Sequence, residues 1–294
     1  MTPRSRRLRR LGFAGLLVAA LVALSCSLLG PDFGPRVDTT EMRARALESR
    51  FVDSALGRLH VVAAGLPSPA AKRVLFVHGS PGTWDAWKTW MESAELRSRA
   101  RLLAPDRIGF GGSERGRAEP SLARQAASMA AILEAEGGSP AVIVGHSLGG
   151  PIAARLAMDR PELVSGLLLV APSIDPALEK RRWYNVAGAT LVVQWFLPID
   201  WITSNRELRP LKRELEEILP RWAELSCPTV VVQGEEDDLV PAANAKFAEE
   251  RVVRGLDVRR YPGMGHFLLW QRPETVTEPL LELLGIDRRI RRIR

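Results

Sequence analysis

The feature that most constrains this chain is a serine held between glycines at the end of an apolar run. Residues 142–150 read V-I-V-G-H-S-L-G-G. The β-branched run 142–144 predicts a buried strand, and the small and apolar residues that follow predict a helix, so Ser147 falls at a sharp strand-to-helix turn. Glycines at Gly145 and Gly149 let the strand and the helix pack closely, since side chains there would collide. By itself the pattern is equally compatible with a serine in an ordinary loop.

Three more predicted strands are followed by residues that can carry chemistry. Residues 73–77 lead into H-G-S-P-G, a loop able to turn a backbone N–H toward a neighbouring strand end, where an oxyanion would be held. The run 229–234 is followed by four carboxylates at residues 235–238, and the run 258–262 leads into a glycine-bounded loop with His266. Serine, acid and histidine therefore occur in that order, each just past a predicted strand.

Helical patterns alternate with these strands along the chain. Helices are predicted over residues 84–96, 121–136, 148–158, 241–250 and 273–284. Such alternation predicts an α/β fold in which a mostly parallel central sheet of about eight strands is covered by helices on both faces.

Taken together, these motifs resemble those of the α/β-hydrolases, in particular the branch that carries H-G-x-P-G after the third strand. The likeness runs from about residue 51 to residue 284. It includes D-R-I-G-F-G-G-S at residues 106–113, which is similar to the family's D-x-x-G-x-G-x-S turn after the fourth strand. The resemblance implies a set of catalytic groups: the nucleophile Ser147, the base His266, the orienting acid Asp237, and the backbone N–H groups of Ser80 and Leu148 as oxyanion donors.

The chemistry explains these residue types. A serine hydroxyl needs an imidazole to accept its proton during attack, and a carboxylate fixes the tautomer of that imidazole. The spacing G-x-x-D-x-x-V-P resembles the family's acid turn and favours Asp237, while Asp238 and Asp175 remain alternatives. The neighbours His78, Gly79 and His146 are expected to support the two turns, and His60 is expected to be a residue of the sheet.

The interval 173–226 between the sixth and seventh strands is too long for an ordinary crossover. In proteins that resemble this one, a helical cap lies there above the nucleophile, so the predicted division is core 51–172, cap 173–226 and core 227–287. The cap carries six aromatic residues: Trp183, Tyr184, Trp195, Phe196, Trp201 and Trp222. An apolar cap suggests a hydrophobic acyl or aromatic substrate, although at least half of these aromatics are expected to form the cap's own core.

The charge distribution argues against nucleic-acid binding despite a sequence pI of about 10.1. Residues 1–10 contain five arginines and residues 287–294 another five with one aspartate, so the body between them is slightly acidic although the formal net charge is +7. No metal-ligand cluster and no cofactor requirement is evident. The last residues, 288–294, are predicted to be a basic tail.

The N-terminal arginines precede an uncharged stretch at residues 11–29, whose 19 residues would span about 28 Å as a helix. We predict that residues 1–30 form a signal peptide, a lipoprotein signal or a membrane anchor, which places the catalytic domain outside the cytoplasm in a bacterial cell envelope. The segment A-L-S-C resembles a lipobox, which makes Cys26 a candidate for lipidation. Residues 31–50 are predicted to be a tether with a short helix around residues 41–48.

Elimination narrows the reaction. Relatives that open epoxides or remove halides carry an aspartate where this chain has Ser147. The leading prediction is a serine-dependent hydrolase of carboxylic esters, acting through an acyl-enzyme on small or hydrophobic substrates. A prolyl-aminopeptidase-like enzyme, a C–C bond hydrolase, and a non-catalytic envelope protein that binds a hydrophobic ligand are the alternatives.

Overall fold

The computed structural model of the chain describes residues 39–68, 70–180, 188, 190–195 and 197–285. It contains one sheet of eight strands: β1 (Glu48–Ser54), β2 (Gly57–Gly65), β3 (Lys72–Val77), β4 (Ala100–Pro105), β5 (Ala141–His146), β6 (Val164–Val170), β7 (Thr229–Gly234) and β8 (Leu256–Tyr261). The strand order is β1-β2-β4-β3-β5-β6-β7-β8. Only the pairs β1–β2 and β2–β4 are antiparallel, which confirms the predicted mostly parallel α/β sheet.

The central strands are buried on both faces of the sheet, and successive side chains point to opposite sides, so each strand contributes to two separate clusters. In β5, Val142 and Val144 belong to one buried cluster and Ile143 to the other. The face of Ile143 is covered by α4 (Leu122–Ala135), α5 (Gly149–Asp159) and α9 (Ala243–Arg251). The opposite face is covered by α2 (Lys88–Met91), α3 (Ala94–Arg97), α10 (Leu268–Gln271) and α11 (Glu274–Leu283). Continuous apolar runs suit strands that are enclosed in this way.

Two predicted elements differ from the structure. The helix predicted over residues 84–96 is divided into a 3-10 turn at Trp84–Trp87 followed by α2 and α3. The break falls at Ser93, whose backbone is extended and whose Oγ accepts the N–H of Leu96, so that it caps a new helix. The predicted helix around residues 41–48 is shorter, since α1 covers Thr39–Ala44 and β1 begins at Glu48, inside the predicted tether.

The segment between β6 and β7 is helical where it is described. It contains α6 (Leu191–Gln194), α7 (Ile199–Leu208), α8 (Leu211–Ile218) and a 3-10 turn at Leu219–Glu224. Trp222 is buried in the main core and packs edge-on against Phe247, whereas the side chain of Trp195 is 88% exposed. Trp183, Tyr184 and Phe196 lie outside the described residues.

The predicted leader with Cys26, the tether as far as residue 38 and the basic tail at 288–294 also lie outside the described residues. Among the residues that are described, no helix has both the length and the apolar character to cross a bilayer.

Candidate active site

The carboxyl ends of the parallel strands meet at one edge of the sheet, and the sequence motifs converge there. Ser147 stands between β5 and α5 with a backbone φ of 54°, in the left-handed region that L-residues seldom adopt. A Cβ on Gly145 would lie 2.3 Å from the carbonyl oxygen of Gly149, and a Cβ on Gly149 would lie 2.2 Å from the carbonyl oxygen of Val77. The two glycines are therefore required by the close approach of α5 to the strands, and this approach holds the half-buried serine at the corner between β5 and α5.

The histidine and one carboxylate form a buried pair. Nδ1 of His266, in the loop after β8, donates to Oδ2 of Asp237, in the turn after β7, at 2.8 Å. The other carboxylate oxygen of Asp237 accepts the backbone N–H groups of Leu239 and Val240 at 2.9 and 2.7 Å. With both oxygens engaged, the carboxylate has a single orientation, and it directs the Nδ1 proton of the imidazole toward itself. Nε2 is then the nitrogen left to accept a proton.

Of the three candidate acids, only Asp237 is placed beside the histidine. The side chain of its neighbour Asp238 is exposed. The carboxylate of Asp175 accepts the backbone N–H of Ala177 at 2.8 Å and so closes its own turn.

The loop at residues 78–82 lies directly against the nucleophile. A Cβ on Gly79 would stand 3.0 Å from Cβ of Ser147. The backbone N–H groups of Ser80 and Leu148 donate to no other residue in the described part of the chain, and both residues line the same cavity as Ser147 and His266. Leu148 immediately precedes α5, so its N–H is one of those that a helix leaves unpaired at its N-terminus. Two donors next to a serine hydroxyl can stabilise an oxyanion.

The other two histidines of the motifs hold these turns together. Nε2 of His78 accepts the backbone N–H of Arg107 at 2.9 Å, and its Nδ1 donates to the carbonyl of Gly79 at 2.8 Å. His146 donates from Nε2 to the carbonyl of His266 at 3.2 Å. Burial lowers the pKa of His146 to about 3 and, with the charge of Arg107, lowers the pKa of His78 well below its ordinary value. Both rings are therefore neutral near pH 7, which suits them to hydrogen-bonding the two turns and not to transferring protons.

His60 lies in β2, as expected, and takes part in a polar cluster that the sequence does not reveal. Its Nδ1 donates to Asp106 at 2.8 Å and its Nε2 contacts Oγ of Ser49 at 2.9 Å. The carboxylate of Asp106 also accepts the backbone N–H groups of Trp84 and Gly112 at 2.8 Å each. This cluster fixes the turn after β4 next to the loop that follows β3.

Sequence reasoning also missed a buried ion pair between that turn and the cap. The guanidinium of Arg107 binds both carboxylate oxygens of Glu207, in α7, at 3.1 Å. The hydroxyl of Ser80 donates to the same carboxylate at 2.9 Å. Burial raises the pKa of Glu207, while the nearby charge of Arg107 acts in the opposite direction. Arg107 belongs to the D-x-x-G-x-G-x-S turn, but nothing in the sequence around Glu207 distinguishes it from any other charged residue on a helix.

The cavity above Ser147 has a volume of about 1680 Å³, larger than the roughly 300–1,000 Å³ typical of small-ligand pockets. Its apolar wall is contributed by the cap, by the loops after β7 and β8 and by α10: Leu197, Trp201, Leu208, Leu239, Phe267 and Trp270. In the described ranges, no three side chains of His, Cys, Asp or Glu are grouped as metal ligands would be.

Comparisons with known proteins identify relatives and solved structures to which this chain is similar. The chain is 31% identical to the lipase LipV of Mycobacterium tuberculosis over 189 residues, which cover 64% of this chain and 65% of the lipase, slightly under two thirds of its length. In structure it is similar to a membrane phospholipase A described as a bacterial virulence factor, with a TM-score of 0.65 at 20% identity, covering 95% of this chain and 98% of that one. An esterase from Exiguobacterium antarcticum gives a TM-score of 0.66 at 18% identity, covering 81% and 100%.

At identities this low, the structural likeness shows a shared fold and nothing finer. The sequence profile of the alpha/beta hydrolase family, however, matches residues 74–278, which is well over half of the chain. This protein therefore belongs to the alpha/beta hydrolase family.

Proposed function

We propose that the protein is a serine-dependent hydrolase that cleaves carboxylic esters through an acyl-enzyme. The observation that carries this proposal is the buried pair of His266 and Asp237 at 2.8 Å, on the wall of a cavity that also contains Ser147. A ligand-binding protein has no need of a nucleophile, a base and an orienting acid at one edge of the sheet, together with two backbone donors that have no partner among the described residues.

In the proposed reaction, Nε2 of His266 takes the hydroxyl proton of Ser147 as the oxygen attacks the ester carbonyl. The carboxylate of Asp237 stabilises the imidazolium that forms, and the N–H groups of Ser80 and Leu148 bind the negative oxygen of the tetrahedral intermediate. The imidazolium then gives its proton to the departing alcohol, which leaves an acyl-serine. Water, deprotonated by the same imidazole, attacks the acyl group and releases the acid and the free serine.

The cavity favours a hydrophobic acyl group. Its size and its aromatic wall suit a medium or long chain better than an acetyl group, because buried apolar surface contributes about 25 cal/mol per Å². The names of the similar proteins, a lipase, a phospholipase and an esterase, agree with this substrate class.

We also propose, from the sequence, that residues 1–30 attach the enzyme to a bacterial cell envelope, with Cys26 as the candidate site of lipidation. Mass spectrometry of the native N-terminus tests that attachment.

A prolyl-aminopeptidase-like activity is less well supported. Such an enzyme must bind the charged amino terminus of a peptide, for which a carboxylate facing the cavity is the natural partner. Three carboxylates of the described residues line the cavity, Asp85, Glu179 and Glu216, and each already has a partner within the chain: the hydroxyls of Thr83 and Ser173 donate to the first two, and Lys212 lies 3.9 Å from the third.

The proposal is tested with a fluorophosphonate probe and a series of p-nitrophenyl esters of increasing acyl length, with proline p-nitroanilide as the amide comparison. We expect labelling at Ser147 and faster turnover of the ester than of the anilide. Ser147→Ala should abolish labelling and lower kcat on the order of 10⁶-fold. Ser128→Ala is the matched control, since Ser128 is buried in α4 and outside the cavity. Folded protein that binds esters without being labelled would instead be a ligand-binding protein, and faster anilide turnover would indicate a peptidase.

A further inference from the structure

We infer that Glu207, a residue of the cap, is a positioning residue for the oxyanion loop, defined here as residues 78–82. The inference rests on the proposed function, because it assigns Glu207 a part in shaping the site where Ser80 donates its backbone N–H. If Glu207 has this role, the contact between the cap and the core is needed for a high kcat as well as for enclosing the substrate.

The contacts hold three consecutive residues of the oxyanion loop. Arg107 donates from Nε to the carbonyl of His78 at 3.0 Å and from Nη2 to the carbonyl of Gly79 at 2.9 Å. Glu207 accepts the hydroxyl of Ser80 at 2.9 Å. The side chain of Glu207 thus reaches the loop twice, once directly through Ser80 and once through the guanidinium that fixes the two preceding carbonyls.

Every N–H group of Arg107 and both carboxylate oxygens of Glu207 are engaged in hydrogen bonds. The five N–H groups of Arg107 are matched by five bonds, to the carbonyls of His78 and Gly79, to the side chain of Gln125 and to both oxygens of Glu207. Each oxygen of Glu207 accepts two bonds, from Arg107 together with either Gln125 or Ser80. The side chain of Arg107 is 0% exposed and that of Glu207 is 1% exposed.

A buried network satisfied in this way specifies one geometry, because any rearrangement leaves a charge or a donor unpaired in a low dielectric. An oxyanion donor is effective only if its N–H already points to where the negative charge develops. By fixing both the carbonyls and the side chain of the oxyanion loop, Glu207 limits the directions in which the N–H of Ser80 can point.

The same helix provides a matched control. Asp200, at the other end of α7, forms an ion pair with Arg115 at 2.6 Å, in which the side chain of Asp200 is 2% exposed and that of Arg115 is 35% exposed. This pair also joins the cap to the segment after β4, but Asp200 makes no contact with the oxyanion loop and does not line the cavity. A role limited to docking the cap predicts equal effects of removing either charge.

The test compares Glu207→Gln, Ser80→Ala and Asp200→Asn in the full-length protein. For each we would measure kcat and KM on a p-nitrophenyl ester and the inhibition constant of a trifluoromethyl ketone, which adds the serine oxygen to its carbonyl and places an alkoxide between the oxyanion donors. We expect Ser80→Ala, which keeps the backbone N–H, to lower kcat about tenfold with KM nearly unchanged, and Glu207→Gln to lower it about 10- to 100-fold. In both variants we expect the inhibition constant of the ketone to rise by a similar factor, because its alkoxide occupies the same site. Asp200→Asn should change kcat and this inhibition constant less than threefold.

Two results would overturn the inference: equal losses of kcat in Glu207→Gln and Asp200→Asn, or an unchanged inhibition constant of the ketone in Ser80→Ala. If Glu207→Gln does not fold, Ser80→Ala still decides, since it removes only one hydroxyl. Failure of the proposed function is distinguishable, because wild-type protein would then resist the fluorophosphonate probe.

Discussion

Replacing Asp237 with asparagine is predicted to place the proton on the wrong nitrogen of His266. One oxygen of Asp237 accepts the backbone N–H groups of Leu239 and Val240, so the oxygen of an asparagine would stay there and its NH₂ would face Nδ1 of His266. An NH₂ group can only donate, and therefore Nδ1 would have to accept. The remaining ring proton would then sit on Nε2, which could no longer receive the proton of Ser147.

The size of the effect follows from two terms. A carboxylate and an imidazolium whose charges lie about 4 Å apart attract each other by about 4 kcal/mol at an effective dielectric constant of about 20, and this stabilisation of the charged base is lost. Restoring the correct tautomer costs about 1 kcal/mol more, the value of one hydrogen bond between neutral groups. A total of about 5 kcal/mol corresponds to a fall in kcat of roughly 10³- to 10⁴-fold at about 1.4 kcal/mol per decade.

The assay is steady-state hydrolysis of a p-nitrophenyl ester at about pH 7, with circular dichroism to verify folding. Asp238→Asn is the matched control, since its side chain is exposed and one position away. We expect it to retain wild-type kcat within a factor of about two, as is usual for surface substitutions. The reasoning is refuted if Asp237→Asn keeps more than about a tenth of wild-type kcat, or if Asp238→Asn loses as much.

Two predictions concern stability. In Gly149→Ala, the new methyl group would lie 2.2 Å from the carbonyl oxygen of Val77, so we expect the free energy of unfolding in urea to fall by about 3 kcal/mol. The control is Gly166→Ala, where the nearest neighbour of the new methyl group is a movable side chain at 3.2 Å, and we expect a fall of less than about 1 kcal/mol. Equal losses in the two variants would contradict this prediction. Because the pKa values of His78 and His146 are lowered by folding, the unfolded chain binds more protons below about pH 6.5. The contribution of these two histidines to the free energy of unfolding should be fully present above that pH and should fall by about 1.4 kcal/mol per pH unit for each histidine below about pH 6. A free energy of unfolding that stays constant from about pH 7 to about pH 5 would show that the two rings are not held in their neutral form by the folded protein.

Residues close together in the chain account for most of what could be predicted. The strand, the turn and the helix around Ser147 follow from β-branched residues, two glycines and a small-residue run within about 20 positions. The same holds for the loops that carry Ser80 and His266, because each begins where a predicted strand ends. Parallel strands in such a sheet end at one edge, so the order of the motifs was enough to predict their convergence.

Boundaries were less predictable where a local pattern competed with tertiary contacts. Residues 48–50 are charged and polar and were assigned to the tether, yet they pair with β2 as the start of an edge strand. The apolar pattern over residues 84–96 suits one continuous helix, but Ser93 forms the N-cap of a new helix and so divides the segment in two.

What the sequence by itself determined is the type of fold and the candidates for nucleophile and base, Ser147 and His266, because the motifs that carry them depend on hydrogen bonding and steric fit within a few residues. Only the tertiary structure decided which of two adjacent aspartates turns inward to His266, and it alone brought Arg107 to Glu207 across a hundred positions. The physical reason is that a buried charge needs a partner of opposite charge, and the packing of the cap against the core decides which residue that is. No local pattern in the sequence indicates which distant residue will be brought into contact.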